Sequence, residues 1–263
     1  MSRLNKQRGA KPKQENCLVG NKQIIAPGYC RLTLYAPLIA REVYPGQFVE
    51  VYMPPEHQPM LPRPFSVYKA NQKTGEIVIL FEIKGQGTRL ITAAEPGATL
   101  KLLGPLGHGF PELPSDAVLV AGGMGIAPLV FLASSTDLPR TLIYGAPTVA
   151  QLACPSSDLD MPGLTILEAT EDGSKGDQGT TVDLLIRCIN NVGAVFACGP
   201  SPMLQAVKKI SDRAAVKAWV SVEERMACGI GACVGCAVAT PGGYKRVCKD
   251  GPVFAAEEVI LSE

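Results

Sequence analysis

The chain of 263 residues has one tryptophan, two histidines and almost no net charge, since 25 basic residues stand against 24 acidic ones for a balance of +1. Without a cationic excess there is no overall field to gather a polyanion, which excludes a nucleic-acid partner. Nothing pairs His57 or His108 with a catalytic neighbour, and they read with Tyr144 and Trp219 as packing or surface residues. The chain also lacks a Ser-His-Asp set, an H-E-x-x-H helix and a Walker loop, so the hydrolytic and P-loop chemistries they serve are not expected. There is no internal repeat and no low-complexity tract. No apolar segment follows the basic residues Arg3, Lys6, Arg8, Lys11 and Lys13. A secretory signal is therefore not expected, and a reducing cytoplasm is.

Long apolar runs are nearly missing too. The single candidate is a 20-residue stretch without charge between Asp116 and Asp137. Its length alone would allow a membrane span. Gly122, Gly123, Gly125 and Pro128 interrupt it in the middle, with β-rich residues before them and helix formers after. That pattern predicts a buried strand, a tight turn and a helix, and no membrane segment.

What is present is glycine (27), proline (22) and a hydrophobic content of 46%. At about 150 residues per domain the length predicts roughly two domains, and the many turn formers favour short strands over a helical bundle. A basic tail over 1–14 is expected to be solvated. From 15 to 112 at least four strands (31–35, 48–53, 76–84 and 99–103) follow one another without helical periodicity, which predicts a small antiparallel barrel. From 113 to 220 strands at 117–121, 141–144, 164–169, 194–197 and 216–222 alternate with helices, which predicts a doubly wound α/β domain with ligand sites at the carboxyl ends of its strands. Residues 221–263 are too few to fold on apolar burial alone and are expected to form a small third domain around a metal cluster.

Nine cysteines make an odd count, and four of them form Cys228-x4-Cys233-x2-Cys236-x11-Cys248. Thiolates at the first three spacings match the plant-type [2Fe–2S] ligand run, and the interleaved Gly229, Gly231 and Gly235 suit a loop that turns its N–H groups toward sulfur. A four-cysteine zinc site is the alternative, although its ligands come more often as two C-x2-C knuckles. Arg63-Pro64-Phe65-Ser66 and Gly85-Gln86-Gly87-Thr88 could hold a flavin ring edge and its phosphates. They could equally be a surface ion-pair residue and a hairpin turn. The Gly122-Gly123-Met124-Gly125-Ile126-Ala127-Pro128 loop stands where strand gives way to helix, as a dinucleotide pyrophosphate requires, or it is a structural turn. Pro128 replaces the last glycine of the strict fingerprint, and Gly145-Ala146-Pro147 stands where an acidic residue would end the next strand. Cys198-Gly199-Pro200 closes another strand and could border a nicotinamide ring, or be a buried cysteine before a helix.

Taken in order, R-P-F-S, G-Q-G-T, G-G-M-G-I-A-P, C-G-P and the cysteine run resemble the ferredoxin-reductase-type flavoproteins. The tail, Glu223 to Cys233 with Tyr244 to Phe254, most closely resembles the electron-transfer subunits of class 1B dihydroorotate dehydrogenases. The resemblance implies a subunit carrying FAD and one [2Fe–2S] cluster, held by Cys228, Cys233, Cys236 and Cys248. It implies a heterotetramer, two copies of each chain, with an FMN-bearing catalytic subunit that oxidises dihydroorotate in pyrimidine synthesis, and NAD+ as acceptor. By position Arg63, Pro64, Phe65, Ser66, Leu80, Phe81, Glu82, Gly87 and Thr88 would hold the flavin. Gly122, Gly123, Gly125, Cys198 and Gly199 would hold the nicotinamide nucleotide, with Met124 where the family more often has glycine. No Arg or Lys near a strand end between Tyr144 and Asp172 suggests a 2′-phosphate clamp, which favours NAD over NADP. A hydrogenase or ferredoxin:NAD(P) oxidoreductase subunit of the same build, and a zinc-stabilised binding module without enzymatic activity, are the rival expectations.

Overall fold

The computed structural model describes residues 11–53 and 61–261, so His57 and most of the basic tail lie outside the described residues. In chain order the first part contains β1 (Lys13–Ala26), β2 (Tyr29–Tyr35), the short helix α1 (Pro37–Ala40), β3 (Phe48–Tyr52), β4 (Arg63–Asn71), β5 (Glu76–Glu82), α2 (Gln86–Ala93) and β6 (Thr99–Leu106). The six strands close into an antiparallel barrel in the order β1-β2-β5-β4-β3-β6. Leu32, Leu34, Val49, Val51, Ile77, Ile79 and Leu102 are fully buried in it. Each contributes about 1.5–3 kcal/mol by leaving water.

β1 runs for 14 residues and begins at Lys13, inside the 1–14 stretch expected to be a solvated tail, because Lys13 pairs with Gly104 and Gln14 with Leu103 of β6. Its polar composition hides the strand, since Cys17 and Val19 alone are buried. β1 turns into β2 through Pro27-Gly28, with Gly28 at φ +83° in the left-handed region a tight turn needs. Gly85 to Thr88 does not make the alternative hairpin turn: Gly85 caps α2, and the Thr88 hydroxyl accepts from the Lys84 and Gly85 N–H groups.

The second part continues with β7 (Ala117–Gly122), α3 (Ile126–Ala133), β8 (Arg140–Ala146), β9 (Leu164–Thr170), β10 (Asp177–Gln178), α4 (Thr181–Cys188), β11 (Ala194–Cys198), α5 (Ser201–Ala214) and β12 (Ala218–Ser221). It ends with β13 (Ala237–Thr240), β14 (Gly243–Arg246), the short α6 (Val247–Asp250) and β15 (Val253–Ala255). Its sheet runs β10-β9-β8-β7-β11-β12-β15, parallel throughout except for the last strand, which lies antiparallel beside β12. Ala117 to Ala121 are buried on both faces, which is why this strand reads as a continuous apolar run. Among the described residues no helix is long and apolar enough to cross a membrane. Trp219 stacks on Phe196 at 5.1 Å, and Tyr144 is buried in β8.

The chain divides into two compact units, one reaching to Pro111 and the other from Glu112 to Val222. Residues 221–263, expected as a body of their own, are shared: Glu223–Ala237 and Lys245–Pro252 go with the barrel, Val238–Tyr244 and Val253 onward with the sheet. The physical reason is burial, because β15 finds its hydrogen bonds on β12 while the Gly229 backbone lies against barrel residue Glu50.

Candidate functional site

In the barrel unit, β4 begins at Arg63, which is half-buried and donates to the carbonyls of Leu61 and Pro62. Its guanidinium lies over the first turn of α2: a Cβ added to Gly87 would sit 2.7 Å from Arg63 Nε. Two motifs 24 positions apart are thus side by side, a cation above a glycine at a helix N-terminus. Phe65 and Phe81 pack with ring centroids 4.9 Å apart, joining β4 to β5, so the aromatic members of the two groups also meet. Leu80 and Phe81 are almost completely buried, whereas Glu82 is paired with Lys84 at 2.6 Å. Pro64 and Ser66 lie on β4 in register with Glu50 and Phe48. The side-chain-free cradle at Gly87, with a guanidinium beside it and Thr88 tying the turn, fits a bound phosphate.

In the sheet unit, β7 and β11 are neighbours, and the chain passes outward from β7 to β8 and β9 before returning to β11. This reversal of strand order is where open α/β sheets hold ligands. The Gly122–Gly125 loop and the Cys198-Gly199-Pro200 turn close on one another there. A Cβ on Gly125 would lie 2.0 Å from the Cys198 carbonyl oxygen, and one on Gly199 3.1 Å from Gly122 Cα, so glycine is the only residue both positions accept. Beside them is a cavity of about 430 Å³, walled by Gly122, Gly123, Gly145, Thr181, Glu171 and Met203 among others. The N-terminal residues of α4 and α5 line it as well, which makes it a place for an anion. Cys198 itself is fully buried, and its side chain is not among those lining the cavity. Glu171, just beyond β9, lines the cavity, and no acidic residue stands at the end of β8. Sequence reasoning passed over it because the fingerprint looks to the next strand in the chain, whereas the sheet brings in the strand after that. A larger cavity, about 640 Å³, lies along β9 and β10 and involves none of the motifs.

The four motif cysteines, Cys228, Cys233, Cys236 and Cys248, all belong to the barrel unit. They stand as two pairs. The N–H groups of Ala232 and Cys233 donate to Cys228 Sγ at 3.3 and 3.4 Å, and the Cys248 N–H donates to Cys236 Sγ at 3.4 Å. Among the described residues no three side chains converge as a ready-made cage for a single metal ion. Partial desolvation raises the Cys228 thiol, but the N–H groups of Cys233, Ile230 and Ala232 outweigh it and bring the thiol down to about 6. Burial and the adjacent Cys236 push Cys248 up to about 12. Gly229 and Gly231 adopt φ +63° and +82°, as the sequence predicts for a loop folding its N–H groups onto sulfur. Arg246 clamps the loop by donating to the Gly231 carbonyl and pairing with Asp250. Four thiols, with N–H groups donating to Cys228 and Cys236, fit an iron–sulfur cluster, and Cys228, Cys233, Cys236 and Cys248 would hold it. Cys233 is exposed between Ile230 and Val234, both about half exposed.

One neighbour of this loop carries no motif. Glu50 of β3 is 0% exposed and neither carboxylate oxygen has a hydrogen-bond partner among the described residues. Burial first, and then the Cys228 sulfur, push its carboxyl up to about 7.

A barrel followed by a parallel nucleotide-type sheet is the ferredoxin-reductase fold. A solved structure described as "Insights into flavin-based electron bifurcation via the NADH-dependent reduced ferredoxin-NADP oxidoreductase structure" superposes with a TM-score of 0.83 over 94% of this chain and 90% of that one, at 26% identity. The ferredoxin reductase in carbazole 1,9a-dioxygenase shares the fold at a TM-score of 0.65 and 20% identity, over 79% of this chain and 67% of its own. The model of the iron-sulfur cluster binding domain of dihydroorotate dehydrogenase B matches residues 223–260. The dihydroorotate dehydrogenase B (NAD(+)) electron transfer subunit of Geobacillus thermodenitrificans is 38% identical over 258 residues, 94% of this chain and 99% of that protein. That of Caldanaerobacter subterraneus is 39% identical over 227 residues, covering 84% of this chain and 89% of that protein. The chain belongs to the family of dihydroorotate dehydrogenase B electron transfer subunits.

Proposed function

We propose that this chain is the electron-transfer subunit of an NAD-linked dihydroorotate dehydrogenase of the cytoplasm, coupling an FMN-bearing catalytic subunit to NAD+ in pyrimidine synthesis. The observation that carries the reading is that one chain of this family has a four-cysteine loop with Cys233 exposed and a strand-end cavity walled by glycines and by the N-terminal residues of two helices. When bound, a flavin exchanges electrons singly or in pairs, a [2Fe–2S] centre one at a time, and nicotinamide as a hydride. The residues supply position. Arg63, Gly87 and Thr88 bind the flavin phosphates while Phe65, Ser66 and Phe81 seat its ring. The Gly122–Gly125 loop and the helix N-termini beside it take the pyrophosphate of NAD. Glu171 favours a free ribose hydroxyl over a 2′-phosphate, which its charge repels. Cys233, with Ile230 and Val234 around it, presents the cluster edge to the catalytic subunit, and we expect two copies of each subunit in the complex. Buried free thiols such as Cys17 and Cys30 suit a reducing compartment.

The test is composition and coupling. Purified chain should contain FAD with iron and acid-labile sulfide in equal amounts. With the catalytic subunit added, dihydroorotate should reduce NAD+. Stoichiometric zinc without sulfide, or full coupling by the catalytic subunit alone, would overturn the proposal.

A further inference from the structure

We propose that Glu50 sets the reduction potential of the cluster, its carboxyl group held by the barrel against the ligand loop. This rests on the reading that the four cysteines hold an iron–sulfur cluster, and it adds a residue that the cysteine pattern does not contain.

The placement follows from strand alternation. Val49 packs against Gly104, where a Cβ would come within 2.7 Å of its Cγ1, and so points into the barrel. Successive residues of a strand face opposite ways, so Glu50 is turned outward, and Tyr52 shares its side. That outer face is covered by the cysteine loop. A Cβ on Gly229 would lie 2.6 Å from Glu50 Cδ and 2.7 and 2.8 Å from its two oxygens, so the residue next to Cys228 rests its backbone on the carboxylate. Gly229 is thereby required twice, for its φ of +63° and for the space.

Among the described residues no cation is paired with this carboxyl group. Lys101, on the neighbouring β6, is turned over the Tyr52 ring at 5.2 Å. Burying a carboxylate without a partner is costly, and an apolar side chain would fill the position more stably. What the charge can do there is electrostatic. Reducing a thiolate-bound cluster adds an electron to a group already negative, and a carboxylate held nearby in a poorly polarisable surrounding opposes that addition. The N–H groups of Ala232 and Cys233 on Cys228 Sγ act the other way, so the loop and the barrel set the potential against each other.

The experiment is a redox titration of the intact protein in alkaline buffer, followed by electron paramagnetic resonance. Iron, sulfide and FAD are measured on the same samples. Glu50→Gln, nearly the same in shape, should keep its iron and raise the midpoint potential. The one-electron equilibrium constant should change by about tenfold, equivalent to about 59 mV. Glu50→Asp keeps the charge and should stay near the parent value. Equal potentials in all three proteins would overturn the proposal. An equal rise in both variants would do so too, by showing that packing matters and charge does not. So would failure of Glu50→Gln to take up iron, which would make the side chain a support for the loop. Absence of iron and sulfide from the parent protein would instead overturn the cluster reading on which this rests.

Discussion

Arg63 and Glu171 show how much single side chains are asked to do. Arg63 lies over Gly87, where charge-assisted contacts to a phosphate are worth about 1.5–3 kcal/mol, or roughly 10- to 150-fold in affinity. Arg63→Ala should therefore lose FAD on dilution and dialysis while keeping its iron, because the residue belongs to β4 and not to the cysteine loop. Flavin retained at the parent level would show that the guanidinium serves only the carbonyls of Leu61 and Pro62. Glu171 is the acidic wall of a cavity whose lining contains no Lys or Arg among the described residues. Its charge should disfavour a 2′-phosphate, so Glu171→Gln should narrow the preference for NADH over NADPH by about tenfold in kcat/KM. An unaltered ratio would move the ribose elsewhere.

At the scale of elements, the N-terminus of α4 matters because it both caps a helix and walls the cavity. Thr180 accepts from the Asp183 N–H, and Asp183 accepts from the Thr180 N–H and hydroxyl, so two orphan donors of the first turn are satisfied reciprocally. Thr180→Ala should cost about 1 kcal/mol and lower the melting temperature by about 2–4 °C. The hydroxyl and N–H of Thr180 hold the Asp183 carboxyl below the usual carboxylate range. A folded-state pKa lower than the unfolded one gives stability that is complete above the unfolded value and lost as pH falls through the folded value. The gap between parent and variant should therefore be full at neutral pH and shrink in acid, as thermal melts across pH would read. A gap constant with pH would mean that the Asp183 side chain takes no part in the cap.

For the whole molecule, division of labour is the question. Among the described residues the chain offers a glycine cradle beside Arg63, a strand-end cavity and a thiolate loop, and none of them is expected to take a proton from carbon. Alone it should oxidise NADH with an artificial acceptor and leave dihydroorotate untouched. Cys233→Ser removes the exposed thiolate of the loop, so that variant should keep FAD and NADH oxidation and fail to couple to the catalytic subunit. Dihydroorotate turnover by the isolated chain, or intact coupling in the variant, would reassign the roles.

Much of this was legible in one dimension. Thiolates at fixed spacing, a glycine loop between an apolar strand and a helix, and alternating elements all depend on neighbours along the chain, so the barrel, the parallel sheet and the ligand loop could be read from Cys228–Cys248, Gly122–Pro128 and the strand pattern. Arg63 and Gly87 were both singled out, but only the barrel's closure lays one on the other. β1 was hidden by its polar residues, and β15 by being three residues long. Each exists because a distant strand supplies its hydrogen bonds. Glu171 and Glu50 lay outside any motif. The first acquires its place from strand order, and the second from a loop folded onto the outer face of β3. Local pattern records what the backbone does with its neighbours, whereas the surroundings of a charge are set by residues far away in the chain, which only the tertiary structure brings near.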